Sequence, residues 1–283
     1  VSVSALRTPP RAAIEADVDR ALREDLGSGD VTAALLPERR ATAVIVAKEP
    51  GVLAGMDWAE ACFRALDRSA HVTWQCRDSE RFDAGAVLCR IDAEARAIVS
   101  AERSALNFLQ TLSGTATTTA SFVAALAGTR TRVLDTRKTV PGLRLAQKYA
   151  VRCGGGSNHR IGLYDAFLIK ENHIAACGSI AAAVAAARRI APGLPVEVEV
   201  ENSSELEQAL AAGAERIMLD EFELPDVVRA VALTRCRAEL EVSGNVALER
   251  LASIAATGVD YVSVGALTKH VRAIDLSLRV LLD

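Results

Sequence analysis

Aromatic residues make up only 4% of the chain, and neither sign of charge is in surplus: 33 Lys and Arg stand against 36 Asp and Glu, a formal net charge of −3. A surface that stacks bases needs aromatic faces, and one that holds DNA needs a basic excess, so these absences argue against a nucleic-acid partner. Any cationic site must be a local concentration. Also missing are a Cys-x-x-Cys pair and any zinc-like spacing of cysteine with the four histidines. Cys62, Cys76, Cys89, Cys153, Cys177 and Cys236 therefore read as small hydrophobes in a reducing compartment. No apolar run reaches membrane-spanning length, and residues 1–11 lack the apolar core of a signal peptide. The expectation is a soluble, cytoplasmic protein.

What is present is a chain of 283 residues, half of them hydrophobic, long enough for one large core or two smaller ones. Ile14, Val18, Leu22 and Leu26, spaced four apart between Pro10 and Gly27, predict a helix. Gly29-Asp30-Val31-Thr32 comes next as a turn capped by Asp30. Residues 43–47 predict a buried strand, 56–66 a helix, and the alternation of Val72, Trp74 and Cys76 another strand, as does the run 87–91. Helix and strand mix here without a regular βα repeat, so residues 1–112 are expected to form an α+β sandwich domain. Its last element is a long helix, 98–112, and residues 113–117 (Ser-Gly-Thr-Ala-Thr) read as the joint to a second domain.

From residue 113 to 283 the rhythm is different. Strand-like runs at 132–134, 166–169, 196–200, 216–219, 238–242 and 261–264 alternate with helical segments such as 203–212, 224–233 and 248–256. Repeated βα units imply a parallel sheet flanked by helices. Six strands predict an incomplete βα barrel, two short of the standard eight.

The polar residues fall where such a barrel does chemistry. Thr136, Arg137 and Lys138 follow one apolar run, and Pro141 and Gly142 then break the chain before a helix over 143–151. Three glycines, 154–156, precede Asn158, His159 and Arg160. Cations on loops beside glycines suit an anionic ligand. Lys170 follows Phe167-Leu168-Ile169, Glu199 sits between Val198 and Val200, Asp220 follows Ile217-Met218-Leu219, and Glu241 and Ser243 are expected to end the next strand. Glu199, Asp220 and Glu241 recur every 21 residues (220−199 and 241−220). Such side chains converge on the C-terminal rim of a βα barrel. On the last two strands, Ser243-Gly244-Asn245 and Gly265-Ala266-Leu267 leave room for backbone N–H groups to meet a phosphate.

In combination, Asp135-Thr136-Arg137-Lys138-Thr139, Pro141-Gly142-Leu143-Arg144, the three glycines and Asn158-His159-Arg160 resemble quinolinate phosphoribosyltransferase of the bacterial type. The resemblance covers nearly the whole chain, from Gly29-Asp30-Val31-Thr32 through the helix motif at 101–107 to residues 264–270. It implies conversion of quinolinate and phosphoribosyl pyrophosphate, with Mg2+, to nicotinate mononucleotide, pyrophosphate and carbon dioxide in de novo NAD biosynthesis. It also implies a homodimer or higher homo-oligomer, in which Arg103 of one subunit reaches the active site of its neighbour. By the same resemblance Arg103, Arg137, Lys138, His159 and Arg160 hold quinolinate, with Thr136 among the substrate-binding residues, while Lys170, Glu199 and Asp220 serve the pyrophosphate, the two acids through the metal. Ser243, Gly244, Asn245 and Gly265 hold the sugar phosphate, and Ala266 and Leu267 are also substrate-binding. Lys138, Lys170, Glu199 and Asp220 are the catalytic set. Two alternatives stand beside it: a transferase of the same fold for another acid, and a non-catalytic anion-binding homologue. The cluster of five cationic groups favours two carboxylates over one, and the retention of Lys170, Glu199 and Asp220 favours catalysis.

Overall fold

The structure, a computed structural model, describes residues 8–244 and 246–281. It divides into two compact units, neither continuous in sequence: residues 1–120, 139–155 and 267–283 form one, and 121–138 with 156–266 the other.

In the first unit, α1 (Arg11–Leu26) forms as its four-residue spacing predicts, burying Ile14, Val18 and Leu22 and ending at Gly27. Asp30 caps the short turn after it, accepting the N–H groups of Thr32 and Ala33, each at 2.9 Å. The strands β1 (Arg40–Ala47), β3 (His71–Trp74), β5 (Val87–Glu94) and β12 (Leu276–Leu281) build an antiparallel sheet in the order β12-β1-β5-β3, and β2 (Gly51–Val52) pairs with β4 (Arg81–Phe82). One core joins Ile45, Leu88 and Ile91 of the sheet to Trp58 and Phe63 of α2 (Met56–Leu66) and to Ile98, Leu106 and Leu109 of α3 (Ala95–Ala125).

The expected joint at 113–117 is helical instead, because α3 runs unbroken for 31 residues. Its small polar residues are there for close packing. A Cβ on Gly114 would lie 2.2 Å from the Arg272 carbonyl oxygen, so only glycine admits that backbone. The hydroxyls of Ser113 and Thr117 accept the N–H groups of Ala54 (3.1 Å) and Val52 (2.8 Å), satisfying a neighbouring segment. The helix α4 (Arg144–Cys153) also belongs to this unit: its Tyr149 ring lies 5.7 Å from that of Trp58, and its hydroxyl donates to Asp78 at 2.7 Å.

The second unit is a parallel sheet of six strands: β6 (Arg132–Leu134), β7 (Phe167–Ile169), β8 (Val196–Val200), β9 (Arg216–Asp220), β10 (Glu239–Ser243) and β11 (Tyr261–Ser263). Its order, β6-β11-β10-β9-β8-β7, is that of an incomplete βα barrel left open between β6 and β7. Helices α5 (Glu171–Cys177), α6 (Ile180–Ile190), α7 (Ser203–Ala211), α8 (Leu224–Thr234) and α9 (Leu251–Ala256) connect the strands, and α10 (Ala266–Lys269) comes after β11. At the edge the chain around Ser157 pairs alongside β6 in a parallel bridge to Leu134. Ser157 N–H donates to Val133 (2.8 Å), and its carbonyl accepts from Asp135 (3.1 Å).

Candidate active site

Alternation along each strand sends Val196, Val198 and Val200 to one face of the sheet and Glu197 and Glu199 to the other. Register then fixes height. Glu199 pairs with Met218, and Met218 with Glu241, whereas Asp220 pairs with Ser243 one row nearer the strands' C-terminal ends. The equal sequence spacing of Glu199, Asp220 and Glu241 therefore does not put them at one level. Glu241, expected at a strand end, is the middle residue of β10 and 0% exposed; Ser243 ends that strand.

At the C-terminal ends, the loop after β6 folds on itself, with Lys138 N–H donating to Thr136 Oγ1 (3.0 Å). A Cβ on Gly265, just after β11, would lie 3.0 Å from Lys138 Cδ and 3.6 Å from Thr136 Oγ1. The bare glycine backbone is thus what lets these two strand ends approach. Opposite, Lys170 at the end of β7 is ion-paired with Glu199 of β8, and its N–H is received by His173 Nδ1 at 3.0 Å. Asp220 is half-buried and forms no ion pair among the described residues. Gly244 takes φ 97°, and the Glu221 carboxylate occupies the room that a side chain there would need.

Between these ends lies a concentration of positive charge. The half-buried Arg160 guanidinium donates to the Ala166 carbonyl (3.3 Å). Burial first, and then the charge of Arg137, lower its pKa, while Glu197 and Asp165 act the other way. Asp135, 0% exposed, anchors the loop that carries Arg160: it accepts Asn158 Nδ2 (2.6 Å) and the His159 N–H (2.9 Å). His159 is buried, its Nε2 lying 2.8 Å from Glu197 Oε2 and 3.7 Å from Glu241 Oε2. Both acids are pushed up by burial, Glu197 to about 7 and Glu241 to about 8.

Cations converging on the strand ends of an open six-stranded barrel suit a small polyanion. The family model of the quinolinate phosphoribosyl transferase C-terminal domain matches residues 115–279, and that of the N-terminal domain residues 30–113. The chain belongs to the quinolinate phosphoribosyl transferase family. It is 45% identical over 272 residues to the nicotinate-nucleotide pyrophosphorylase (carboxylating) of Mycobacterium leprae, covering 92% of this chain and 95% of that one. The structure of nicotinate-nucleotide pyrophosphorylase from Francisella tularensis superposes with a TM-score of 0.93 at 47% identity, covering 98% and 99% of the two chains. NadC from Streptococcus pyogenes gives 0.92 at 41% identity, covering 97% and 99%.

In this family member one unit gathers Thr136, Arg137, Lys138, His159, Arg160, Lys170, Glu199, Asp220, Ser243, Gly244, Gly265 and Ala266. Arg103 belongs to the other unit, exposed on α3, and Leu267 is buried in α10. Asn245 lies outside the described residues. Sequence reasoning assigned no part to Asp135 or Glu197, and it expected Glu241 at the rim rather than inside the barrel. The signal for the two glutamates was there: a charge inside an apolar strand is buried, and a buried charge needs a partner. The chain has no described helix long and apolar enough to cross a membrane.

Proposed function

We infer that this family member is a decarboxylating quinolinate phosphoribosyltransferase, making nicotinate mononucleotide, pyrophosphate and carbon dioxide from quinolinate and phosphoribosyl pyrophosphate in de novo NAD biosynthesis. The observation that carries the reading is the gathering of Arg137, Lys138, Arg160 and Lys170 in one unit at the strand ends, enough cations for the two carboxylates of a diacid. Bidentate guanidinium–carboxylate contacts fix the ring's orientation as well as its charge. Lys138 and Thr136 lie beside Gly265, where an acid group and the sugar phosphate come together. Ser243 and Gly244 are suited to the 5′-phosphate, and the family resemblance adds Asn245, Gly265, Ala266 and Leu267 to them.

Catalysis is chiefly positioning and neutralisation of charge. The pyridine nitrogen attacks the anomeric carbon as pyrophosphate leaves, and Lys170 meets the departing charge. Glu199 holds Lys170 in place until then. With its nitrogen bonded to ribose the ring is cationic, and that charge stabilises the carbanion left when the adjacent carboxylate departs as carbon dioxide; a proton from water or a nearby acid then goes to that carbon and gives nicotinate mononucleotide. Glu199 and Asp220 offer hard oxygen donors that fit Mg2+, Asp220 being the freer of the two. When bound, Mg2+ would add positive charge beside the pyrophosphate.

Arg103 completes the site from a second subunit of a homo-oligomer, and the compartment is the cytoplasm. The test is to follow carbon dioxide and pyrophosphate release with quinolinate, and separately with nicotinate, in the presence of phosphoribosyl pyrophosphate. Release of both products with quinolinate alone is expected. Turnover of nicotinate in preference to quinolinate would overturn the assignment.

A further inference from the structure

Directly after Asp220, at the end of β9, the chain turns through Glu221 with φ 54°. That is the left-handed region, which glycine and asparagine tolerate and a longer side chain enters at a cost. The Glu221 N–H donates to the Ser243 carbonyl at 3.2 Å, so the turn stays tied to the end of β10. Its side chain crosses to Gly244. A Cβ built there would meet Glu221 Cδ at 2.5 Å, Oε1 at 2.6 Å and Oε2 at 2.9 Å. The carboxylate therefore lies on the bare main chain where the proposed reaction seats a 5′-phosphate.

Two anions cannot share that place. A phosphate approaching Gly244 meets a charge of its own sign at contact distance, so the carboxylate must move or the affinity falls. Little holds the carboxylate where it is: Glu221 is exposed, and its side chain forms no ion pair among the described residues. The small cavity lined by Glu221, Ser243 and Gly244 is also lined by Arg250. Arg250 is likewise exposed and without an ion pair among the described residues. A displaced Glu221 carboxylate thus has a cation to turn to.

We propose that Glu221 is a resident anion on the phosphate seat: in the empty site its carboxylate covers Gly244, and when a sugar phosphate binds it swings to Arg250. Binding at this seat is then an exchange of one anion for another. Glu221 lowers the affinity for the phosphate, and Arg250 returns part of the loss without touching the ligand. The exchange also discriminates. A phosphate held at one end only displaces the acid poorly, whereas a donor gripped at its pyrophosphate by Lys170 as well displaces it readily.

The inference rests on the reading of Gly244 as the seat of the sugar phosphate, and its test separates the two. Calorimetric titration with ribose 5-phosphate, which carries the 5′-phosphate and no pyrophosphate, reads the seat without turnover. Glu221→Gln keeps the shape of the side chain and removes its charge. It should bind ribose 5-phosphate roughly fivefold more tightly than the wild-type chain, the size of one like-charge contact beside water. Arg250→Ala should weaken binding in the wild-type chain and change nothing in the Glu221→Gln chain, because Arg250 acts only on Glu221. Unchanged affinity in Glu221→Gln would remove Glu221 from the seat. Equal weakening by Arg250→Ala in both backgrounds would put Arg250 on the phosphate itself and overturn the exchange. Both side chains are exposed, so neither change takes packing from the core; should Glu221→Gln still not fold, Glu221→Asn, at ease at positive φ, takes its place. If quinolinate is turned over and Glu221→Gln leaves ribose 5-phosphate binding as it was, this inference fails alone. If there is no turnover and Glu221→Gln tightens that binding, the functional reading fails and this one stands.

Discussion

Arg160 and Arg137 are the two guanidiniums proposed to hold the diacid's carboxylates, and Arg160 lies half-buried within reach of the charge of Arg137. Arg160→Ala is therefore predicted to weaken quinolinate binding by roughly 2–4 kcal/mol, about 30- to 1000-fold, while phosphoribosyl pyrophosphate binding changes little. Calorimetric titration of the variant with each substrate checks this, and unchanged quinolinate affinity would remove Arg160 from the site. Glu241 has a different signature. Burial, and then the charge of Glu197, push its carboxyl from an ordinary 4.5 to about 8. The folded chain thus keeps a proton that the unfolded chain gives up. Its contribution to stability is complete below 4.5 and is lost as pH rises toward 8, at no more than about 1.4 kcal/mol per pH unit. Glu241→Gln, neutral at every pH, should gain on the wild-type chain across that window in urea-melt stability. Parallel curves for the two chains would show that Glu241 is not held protonated.

Single elements show where sequence was legible and where it was not. The barrel strands were legible because each is a short apolar run closed by a polar residue, and β6 and β8 fall on the residues that pattern predicts. Most of the residues expected at the site derive from those ends, since parallel strands deliver their C-termini to one rim. Height along the strand was not legible: it depends on register, which pairs Asp220 with Ser243 rather than with Glu241. Nor was β12, because its partner β1 lies at the other end of the chain, with Leu276 facing Ala47. The run 113–117 misled for a local reason, its glycine and hydroxyls being breakers in isolation that tertiary contacts hold in α3. Gly114→Ala tests this with two effects of opposite sign. Helix propensity favours alanine by about 1 kcal/mol. The contact at 2.2 Å is with main chain, which cannot swing aside as a side chain does, and overpacking of that kind costs about 1–3 kcal/mol. A net loss of stability by chemical denaturation is expected; a more stable variant would mean that the helix and the Arg272 segment part easily.

At the scale of the whole molecule, the last strand closes the sheet of the first unit, so that unit is built from both ends of the chain. The place of Arg103 is the question at this scale. It is exposed on α3 between the buried Ala101 and Ser104, and it makes no ion pair among the described residues. An arginine presented in this way on an otherwise packed helix is available to a second copy of the chain, as the proposed shared site requires. Complementation tests it. Arg103→Ala and Lys170→Ala chains should each be nearly inactive alone, because every site then lacks one group. In a mixed dimer one site lacks both groups and the other has both. Refolded together at equal concentration with free exchange, the two variants should place roughly half of the chains in mixed dimers, restoring about a quarter of the native sites. Mass spectrometry of the intact assembly verifies that mixed dimers have formed. If verified mixed dimers stay as inactive as their parents, Arg103 serves the site of its own chain, or none.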